Sequence, residues 1–210
     1  MRRVDLHVHT ICSKDAVNRQ SHLQAALRRL DAIAICDHNQ IICALKLRAR
    51  LGYRIIVGME IDTGEGELIG LFLKEPIPSG LGLERTAEEI RAQGGLVIAP
   101  HPFDLRRKGA GTGLSRIVHL LDAVEVFNAR TMSTRANAEA LQFAVSRGLA
   151  CVAGSDAHVP TEIGLAVTSL KEVPLDAEHA RVLLKKASFS GRAINLFERV
   201  YARVRRSLRL

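Results

Sequence analysis

The stretch DLHVHT, residues 5–10, ends the first apolar run of the chain and sets two histidines two residues apart. On an extended strand alternate side chains share one side, so His7 and His9 present two imidazoles to one point, as a metal site needs. Alone this pair is a weak signal, because a lone histidine is usually a hydrogen-bonded surface or core residue. Its weight comes from the pattern around it. Short apolar runs recur along the chain: AIAIC (32–36), RIIVGM (54–59), GLVIA (95–99), AVEVF (123–127) and ACVAG (150–154). Their length and β-branched content suit buried parallel strands. A further run, ELIGLFL (67–73), reads as a strand that is antiparallel or hairpin-linked through Thr63-Gly64-Glu65-Gly66.

Helical patterns lie between these runs. They cover 21–30, opening on Ser21 as N-cap; 41–51, stopping at Gly52; and 83–93, stopping at Gly94-Gly95. Two more cover 133–147, stopping at Gly148, and 177–188, ahead of Gly191. This alternation argues for an α/β fold with a mainly parallel sheet. No repeat, low-complexity tract or interdomain linker interrupts it, and PIPSG (76–80) reads as a surface loop. The 210 residues are expected to form one domain, 1–210, ending in a basic segment, 199–210.

Nearly every apolar run is followed at once by a metal-competent residue. The runs deliver, in order, Asp5, His7 and His9; Asp37 and His38; Glu60 and Asp62; His101; Asn128, with Glu125 inside its run; and Asp156 and His158. In a parallel barrel the C-terminal strand ends converge on one face, so ligands spread over 150 residues of sequence would meet in one pocket. Five of the eight histidines follow this rule, whereas His22, His119 and His179 fall in expected helices and read as structural. Asp156 and His158 repeat the two-residue spacing of His7 and His9, and Asp15 lies in the loop after the first strand. Mixed imidazole and carboxylate ligation suits Zn, Mn or Fe and not Ca. Eight candidate ligands, His7, His9, Asp15, His38, Glu60, His101, Asp156 and His158, exceed what one tetrahedral ion takes, so two or three divalent transition-metal ions are expected. Such a cluster can activate a bridging hydroxide and neutralise a phosphoryl group, with no Ser or Cys nucleophile. Ser155 in GSDAH lacks the flanking pattern of a nucleophile elbow.

These motifs, taken together and in order, resemble the PHP (polymerase and histidinol phosphatase) superfamily. The likeness runs through DLHVHT…SKDA, ICDHN, GME, APHPFD and GSDAH, over roughly residues 1–165. It implies a distorted (β/α)7 TIM-like barrel with a bi- or trinuclear centre acting on phosphoric ester bonds. Under it His7 and His9 bind a first ion with Glu60 and Asp156, and Glu60 bridges to a second ion held by His101. Asp15, His38 and His158 hold a third, while Asp37 orients a ligand; Glu60 and Asp37 are thus the candidate catalytic residues. Some members carry another histidine after the fifth strand, where this chain reads EVFNARTMSTR, so Asn128, Glu125 or water would take that place. Related proteins often carry histidine where this chain has Glu67.

Small stand-alone members resemble phosphoesterases acting on nucleotides, oligonucleotides or sugar phosphates. Arg106 and Arg107, in FDLRRKG just after His101, and Arg130 with Asn128, after the fifth strand, are candidate substrate-binding residues. Arginine suits phosphate because its planar fork binds two oxygens at once. A phosphorylated metabolite or nucleotide is the expected partner, with short single strands and a 5′-directed exonuclease as the alternative. An amide hydrolase, or a regulatory barrel with a decayed site, fits less well.

The bulk composition agrees with this reading. Hydrophobic residues make up 47% and aromatics only 4%, so the core must be aliphatic. Net charge is +8, and the five arginines of residues 199–210 carry most of it. With Tyr201 as the sole aromatic there, a dedicated stacking platform for single strands is not supported. No apolar stretch approaches 18 residues, which excludes a membrane-spanning helix, and no obligate protein partner is inferred. The N-terminal residues lack a secretory h-region, and the four cysteines form no CxxC pair. Reduced thiols and a cytoplasmic location are therefore expected.

Overall fold

The computed structural model describes residues 1–104 and 106–208. Leu105 of the 103–109 loop, and Arg209 and Leu210 of the basic segment, lie outside the described residues. The elements run β1 (Arg2–Val8), α1 (Gln20–Ala26), β2 (Ala32–Ile35), α2 (Ile42–Leu51), β3 (Ile55–Thr63), β4 (Gly66–Leu71), α3 (Leu83–Ala92), β5 (Leu96–Ala99), β6 (Ala123–Asn128), α4 (Thr134–Ser146), β7 (Ala150–Gly154), β8 (Ala166–Leu170), α5 (Ala177–Leu184), β9 (Ser188–Gly191) and α6 (Leu196–Leu208). The apolar runs all became strands, and α2 and α4 stop at Gly52 and Gly148 as expected, with α3 ending just before Gly94. The helix from Ser21 differs: its N-cap is Arg19, whose backbone N–H is accepted by His22 Nδ1 at 3.1 Å. Strands β8 and β9 carry too little apolar periodicity to stand out in sequence; β9, for instance, is the half-polar SFSG. Helix α6 is amphipathic, but its density of arginine marks it in the sequence as a basic segment rather than as a helix.

All nine strands belong to one sheet, ordered β7-β6-β5-β4-β3-β2-β1-β8-β9. Neighbours are parallel except around β4, which forms the expected hairpin with β3, and at β8 and β9. The sheet curls into a nearly closed barrel. At its N-terminal end β1 pairs with β8, but past Val4 it meets the segment after β7. Asp156 N donates to His7 O at 2.7 Å and His9 N to Ala157 O at 3.0 Å, sealing the seam. The interior is filled by Val4, Leu6, Ala34, Ile56, Ile98 and Val152, with α5 packed against this cluster through Leu183 and Leu184. Helices α1, α2 and α3 cover the outside, on Ile33, Ile35, Val57 and Val97. Between β5 and β6 two short 3-10 turns take the place of a crossover helix. No helix among the described residues is long and apolar enough to cross a membrane.

Asp5 anchors the seam. Its carboxylate accepts from Ser155 N (3.0 Å), Ser155 Oγ (2.6 Å), Gly164 N (2.8 Å) and His7 N (3.3 Å). Full burial nevertheless raises its pKa to about 6. Gly154 lets the strands close in, since a Cβ there would collide with His7 Cβ and Glu125 Oε1.

One expectation is corrected. Cys12 and Cys43 are joined by a disulfide, with a Cα–Cα distance of 6.2 Å, and only Cys36 and Cys151 are free. Adjacent parallel strands β1 and β2 bring the loop after β1 beside the first turn of α2, a proximity invisible in a spacing of 31 residues.

Asp5→Ala orphans buried amides of Ser155 and Gly164 and is expected to lower the unfolding free energy by about 3 kcal/mol, measured by urea titration. Thiol titration of the unreduced, unfolded protein should count two free thiols, and four after reduction. Cys43→Ser should cost roughly 3–4 kcal/mol from loop entropy.

Candidate metal centre

The C-terminal strand ends bring all eight expected ligands to one mouth of the barrel. His7 lies near the end of β1 with His9 just beyond it, Glu60 lies within β3, and His38, His101, Asp156 and His158 directly follow β2, β5 and β7. Seven are buried or half-buried, while Asp15, in the loop after β1, keeps 48% of its side chain exposed. Two ligands sit on strained backbone: His101 and Asp156 hold φ of 26° and 55°. Hydrogen bonds donated by their amides hold them there, from His101 N to the Glu125 carboxylate Oε2 (2.9 Å) and from Asp156 N to the carbonyl of His7 (2.7 Å).

His7 reaches this mouth through a bulge. The register of β1 against β2 shifts between Asp5 and Val8. Leu6 packs in the interior cluster, yet His7 also points into the site and Val8 packs with the helical layer. The shift breaks the strict alternation once and thereby turns both His7 and His9 inward.

The donor atoms converge. His7 Nε2 and His9 Nε2 lie 3.0 Å apart. Glu60 Oε2 and Asp156 Oδ1 each lie 3.3 Å from His9 Nε2, and Glu60 Oε1 lies 3.5 Å from His7 Nε2. Nitrogen and oxygen ligands on one tetrahedral ion, with bonds near 2.0–2.1 Å, stand about 3.3 Å apart. Glu60 also faces His101 Nε2 at 3.0 Å and His38 Nδ1 at 3.2 Å, so one carboxylate faces four ligand groups, His7, His9, His38 and His101. A further set forms where His158 Nε2 meets Asp15 Oδ2 at 2.9 Å, with His38 Nε2 at 3.9 Å from Asp15 Oδ1.

The chemistry of this donor set calls for cations. His7 Nδ1 faces Glu125 Oε1 at 3.1 Å, which makes Nδ1 the protonated nitrogen and leaves Nε2 a lone pair. His9 Nδ1 contacts Ser13 Oγ (3.2 Å), whose own proton goes to Asp37 Oδ1 (2.8 Å), so His9 Nε2 likewise carries a lone pair. Two lone pairs and two carboxylates then meet at one buried point. Glu60 Oε2 and Asp156 Oδ1 are buried without a hydrogen-bond partner. At the other set His158 Nδ1 donates to Asp156 O (2.8 Å), which aims the Nε2 lone pair at the Asp15 carboxylate. Each conflict is relieved by a proton or a metal ion, and the residues present fit divalent ions.

The surroundings orient these ligands. Asp37 accepts from Thr10 N and Thr10 Oγ1, both at 2.6 Å, and from Ser13 Oγ, so it acts on His9 through Ser13. Ser13 was not singled out in the sequence; only its place between a ligand and a buried carboxylate reveals it. Glu67 Oε2 stands 3.8 Å from His101 Nε2, and burial followed by Glu60 raises its pKa to about 9. Asn128 donates from Nδ2 to Glu125 Oε2 (2.8 Å) and Asp156 Oδ2 (3.0 Å), while its Oδ1 accepts from the amides of Arg130 and Thr131. It thus spaces two carboxylates. Glu125 bridges His7, His101 and Asn128. Ser155 Oγ is spent on Asp5.

Among the candidate substrate residues, Arg107 pairs with Asp156 Oδ2 inside the site. Beside it a recess of about 320 Å³ is lined by His38, Asp62, Glu67, Arg107 and Lys108. Arg130 lies at the rim, 3.7 Å from Glu162 Oε2. Arg106 is exposed and points away, onto Met132 Sδ at 3.2 Å, beside a cavity of about 850 Å³.

Burial works against the charged form of His9, but Asp156 and Glu60 raise its pKa to about 9; His7 is raised too, by Asp156 and Glu60. At neutral pH these imidazoles hold protons that a metal ion must displace. Metal affinity should therefore rise with pH up to about 9, by about tenfold per unit for each proton released. Calorimetric titration of metal into the metal-free protein, in buffers of different ionisation enthalpy, counts those protons; an affinity flat over that range contradicts the assignment.

Comparison with known proteins places this centre. The chain is 37% identical over 180 residues to the uncharacterized protein MJ0417 of Methanocaldococcus jannaschii, covering 83% of this chain and 73% of that protein. A family model described as PHP-associated matches residues 134–184. A two-domain Bacteroides vulgatus protein containing a predicted PHP-like metal-dependent phosphoesterase shares the fold, with a TM-score of 0.74 and 18% identity over 91% of this chain. This chain spans 65% of that protein's length. The lesion-specific endonuclease PfuEndoQ of Pyrococcus furiosus also shares the fold, with a TM-score of 0.61 and 16% identity over 90% of this chain and 57% of its own. The strand-end ligands on a nearly closed barrel thus find their place in a known lineage, and the chain belongs to the PHP superfamily.

Proposed function

We propose that the protein is a metal-dependent phosphoesterase that hydrolyses a phosphate ester of a nucleotide, an oligonucleotide or a small phosphorylated metabolite. The observation that carries this reading is the meeting of His7 Nε2 and His9 Nε2 with unpartnered carboxylate oxygens of Glu60 and Asp156 at one buried point, with Arg107 beside it. Two or three divalent ions, as Zn, Mn or Fe, would supply Lewis acidity and an activated water there. His7, His9, Glu60 and Asp156 would hold the first, Glu60 and His101 with Glu67 the second, and Asp15, His38 and His158 the third.

The chain's own residues do the rest. Asp37 and Ser13 fix the ring of His9, and Glu125 fixes that of His7. Arg107, already inside the site, is placed to take a phosphoryl oxygen in exchange for Asp156. Arg130 stands at the rim for a further anionic group. The bland alternative, a regulatory barrel with a decayed site, is disfavoured because the eight ligand residues converge. A cytoplasmic location is proposed only from the N-terminal sequence pattern, because the Cys12–Cys43 disulfide removes the reduced thiols from its support.

The test is metal analysis followed by a turnover screen of phosphorylated metabolites, nucleotides and chromogenic mono- and diesters with Mn²⁺ added. The expected result is two or three bound equivalents and hydrolysis of at least one phosphate ester. A folded protein that binds no metal, or that cleaves none of these esters when loaded, overturns the reading. His9→Ala should lose activity on the order of 100-fold or more while staying folded. Ser13→Ala should lose roughly 10- to 100-fold in metal affinity or rate, because it acts only through His9.

A further inference from the structure

Helix α6 presents its apolar side to solvent. A surface helix of a globular protein normally turns its apolar stripe to the core and its charges to water. Among the described residues of α6 only Ala202 is buried, against Val17 and Val159 in the two loops that carry Asp15 and His158. Phe197, Val200, Tyr201, Val204 and Leu208 recur at helical spacing on one stripe, with Leu196 at its edge. All six are exposed, Phe197 by 87% and Leu196 by 73%. With about 3.6 residues per turn, the middle of this stripe lies nearly opposite Ala202. Local contacts fix that orientation. Ile194, just ahead of the helix, is buried, and its N–H donates to Ala129 O at 2.9 Å. Asn195 and Glu198 cap the first turn reciprocally, Asn195 N to Glu198 Oε2 and Glu198 N to Asn195 Oδ1, both at 2.9 Å. Arg192 holds Glu198 at 2.6 Å, and Arg199 Nη1 donates to the carbonyl of Arg130 at 3.2 Å. These ties lie on the polar side of α6, so the stripe turns inward only if they break.

Charge decides what the stripe faces. Residues 199–208 hold four arginines and no acid. Two of the four border the stripe. Arg203 is exposed along one edge, and Arg205 lies over the Tyr201 ring on the other, 5.7 Å from its centroid. Glu198, the one acid of the helix, is turned away from the stripe and paired with Arg192. A second copy packed stripe to stripe would set arginines against arginines along both edges, with no acid of the helix between them. An anionic bilayer meets both requirements. It takes a convex apolar stripe without a preformed groove, and its headgroups lie against the cations on either side. At 13 residues α6 is too short to cross a bilayer, so it would lie in the interface plane.

We propose that α6 is a peripheral membrane anchor: its outward stripe enters the headgroup region of an anionic bilayer, with Arg203 and Arg205 on the lipid phosphates. The anchor is independent of the phosphoesterase reading, because none of the stripe residues belongs to the metal centre. Apolar burial and charge each contribute, so binding needs both the stripe and its two bordering arginines.

Vesicle co-sedimentation of the full chain tests this. The probes are vesicles of phosphatidylcholine alone and of equal parts phosphatidylcholine and phosphatidylglycerol, at low and at high salt. The expected result is binding about tenfold or more tighter to the anionic vesicles, weakening as salt rises. Phe197→Ser/Leu208→Ser should weaken it about tenfold or more through lost apolar burial. Arg203→Gln/Arg205→Gln should weaken it by a similar factor, about tenfold, through lost charge. Lys185→Gln/Lys186→Gln removes two exposed cations of α5, changes net charge equally and should bind as the unaltered protein does. Unchanged circular dichroism shows that each variant is folded. The chain has no tryptophan, so Phe197→Trp is a single reporter. Its emission should shift to the blue on anionic vesicles and be quenched by brominated lipid. A reporter that does not shift on either vesicle overturns the anchor and leaves the stripe to a protein groove. Undiminished binding by Phe197→Ser/Leu208→Ser, or an equal loss in the α5 variant, also overturns it, because a basic protein is then adsorbing by charge alone. A dimer in sedimentation equilibrium that the Phe197→Ser/Leu208→Ser variant dissociates overturns it too, and assigns the stripe to a second copy.

Discussion

Two main-chain hydrogen bonds hold the rest of the structure in place, one from Asp156 N to His7 O and one from His9 N to Ala157 O. They join the first strand to the segment after the seventh, and in doing so they close the barrel. They also bring the His7-His9 pair against the Asp156-His158 pair, although about 150 residues of chain separate them. Closure and site assembly are thus a single event. Asp5 and Gly154 serve both, Asp5 by accepting the amides of the crossing segment and Gly154 by leaving room for His7 and Glu125. A chain that closes a loop of this length commits its entropy late, which fits a seam built from several mutually supporting polar contacts.

A barrel closed in this way buries an electrostatic problem. Glu60, Asp156, His7 and His9 are all 0% exposed, and isolated charges in such surroundings cost several kcal/mol each. The cluster is tolerable only because each acid has a cation or a proton near it. Histidines take up protons, Arg107 leans on Asp156, and Glu125 and Asn128 distribute hydrogen bonds among the remaining oxygens. A multivalent cation would relieve the same conflict, since a single ion can replace several compromises at once. Strained backbone at His101 and Asp156 belongs to this pattern, with stability given up locally where function needs a set geometry.

The Cys12–Cys43 disulfide and helix α6 reinforce the open side of the mouth. The disulfide ties the Thr10-to-Asp15 loop to α2, just beyond His38, and so joins the two loops that carry Asp15 and His38. Helix α6 covers the neighbouring loops through Ala202 and leaves its apolar residues Phe197, Val200 and Val204 facing outward.

Much of the framework was legible from local pattern. Apolar runs ending in His, Asp or Glu, and helices ending at Gly52 and Gly148, follow from periodicity and backbone freedom, which act over a few residues. The HxH spacing determined that His7 and His9 share a side. It did not determine which side, because that depends on a bulge between Asp5 and Val8 set by pairing with β2. Nor did it reveal Ser13 behind His9, the spacer role of Asn128, the pairing of Cys12 with Cys43 or the docking of α6, all of which arise between residues far apart in sequence. The sequence by itself determined the kinds of ligand and their order along the barrel, because those are properties of short segments. Only the tertiary structure decided which atoms oppose one another at the mouth, because a few tenths of an ångström between buried donors are set by strand register and barrel closure.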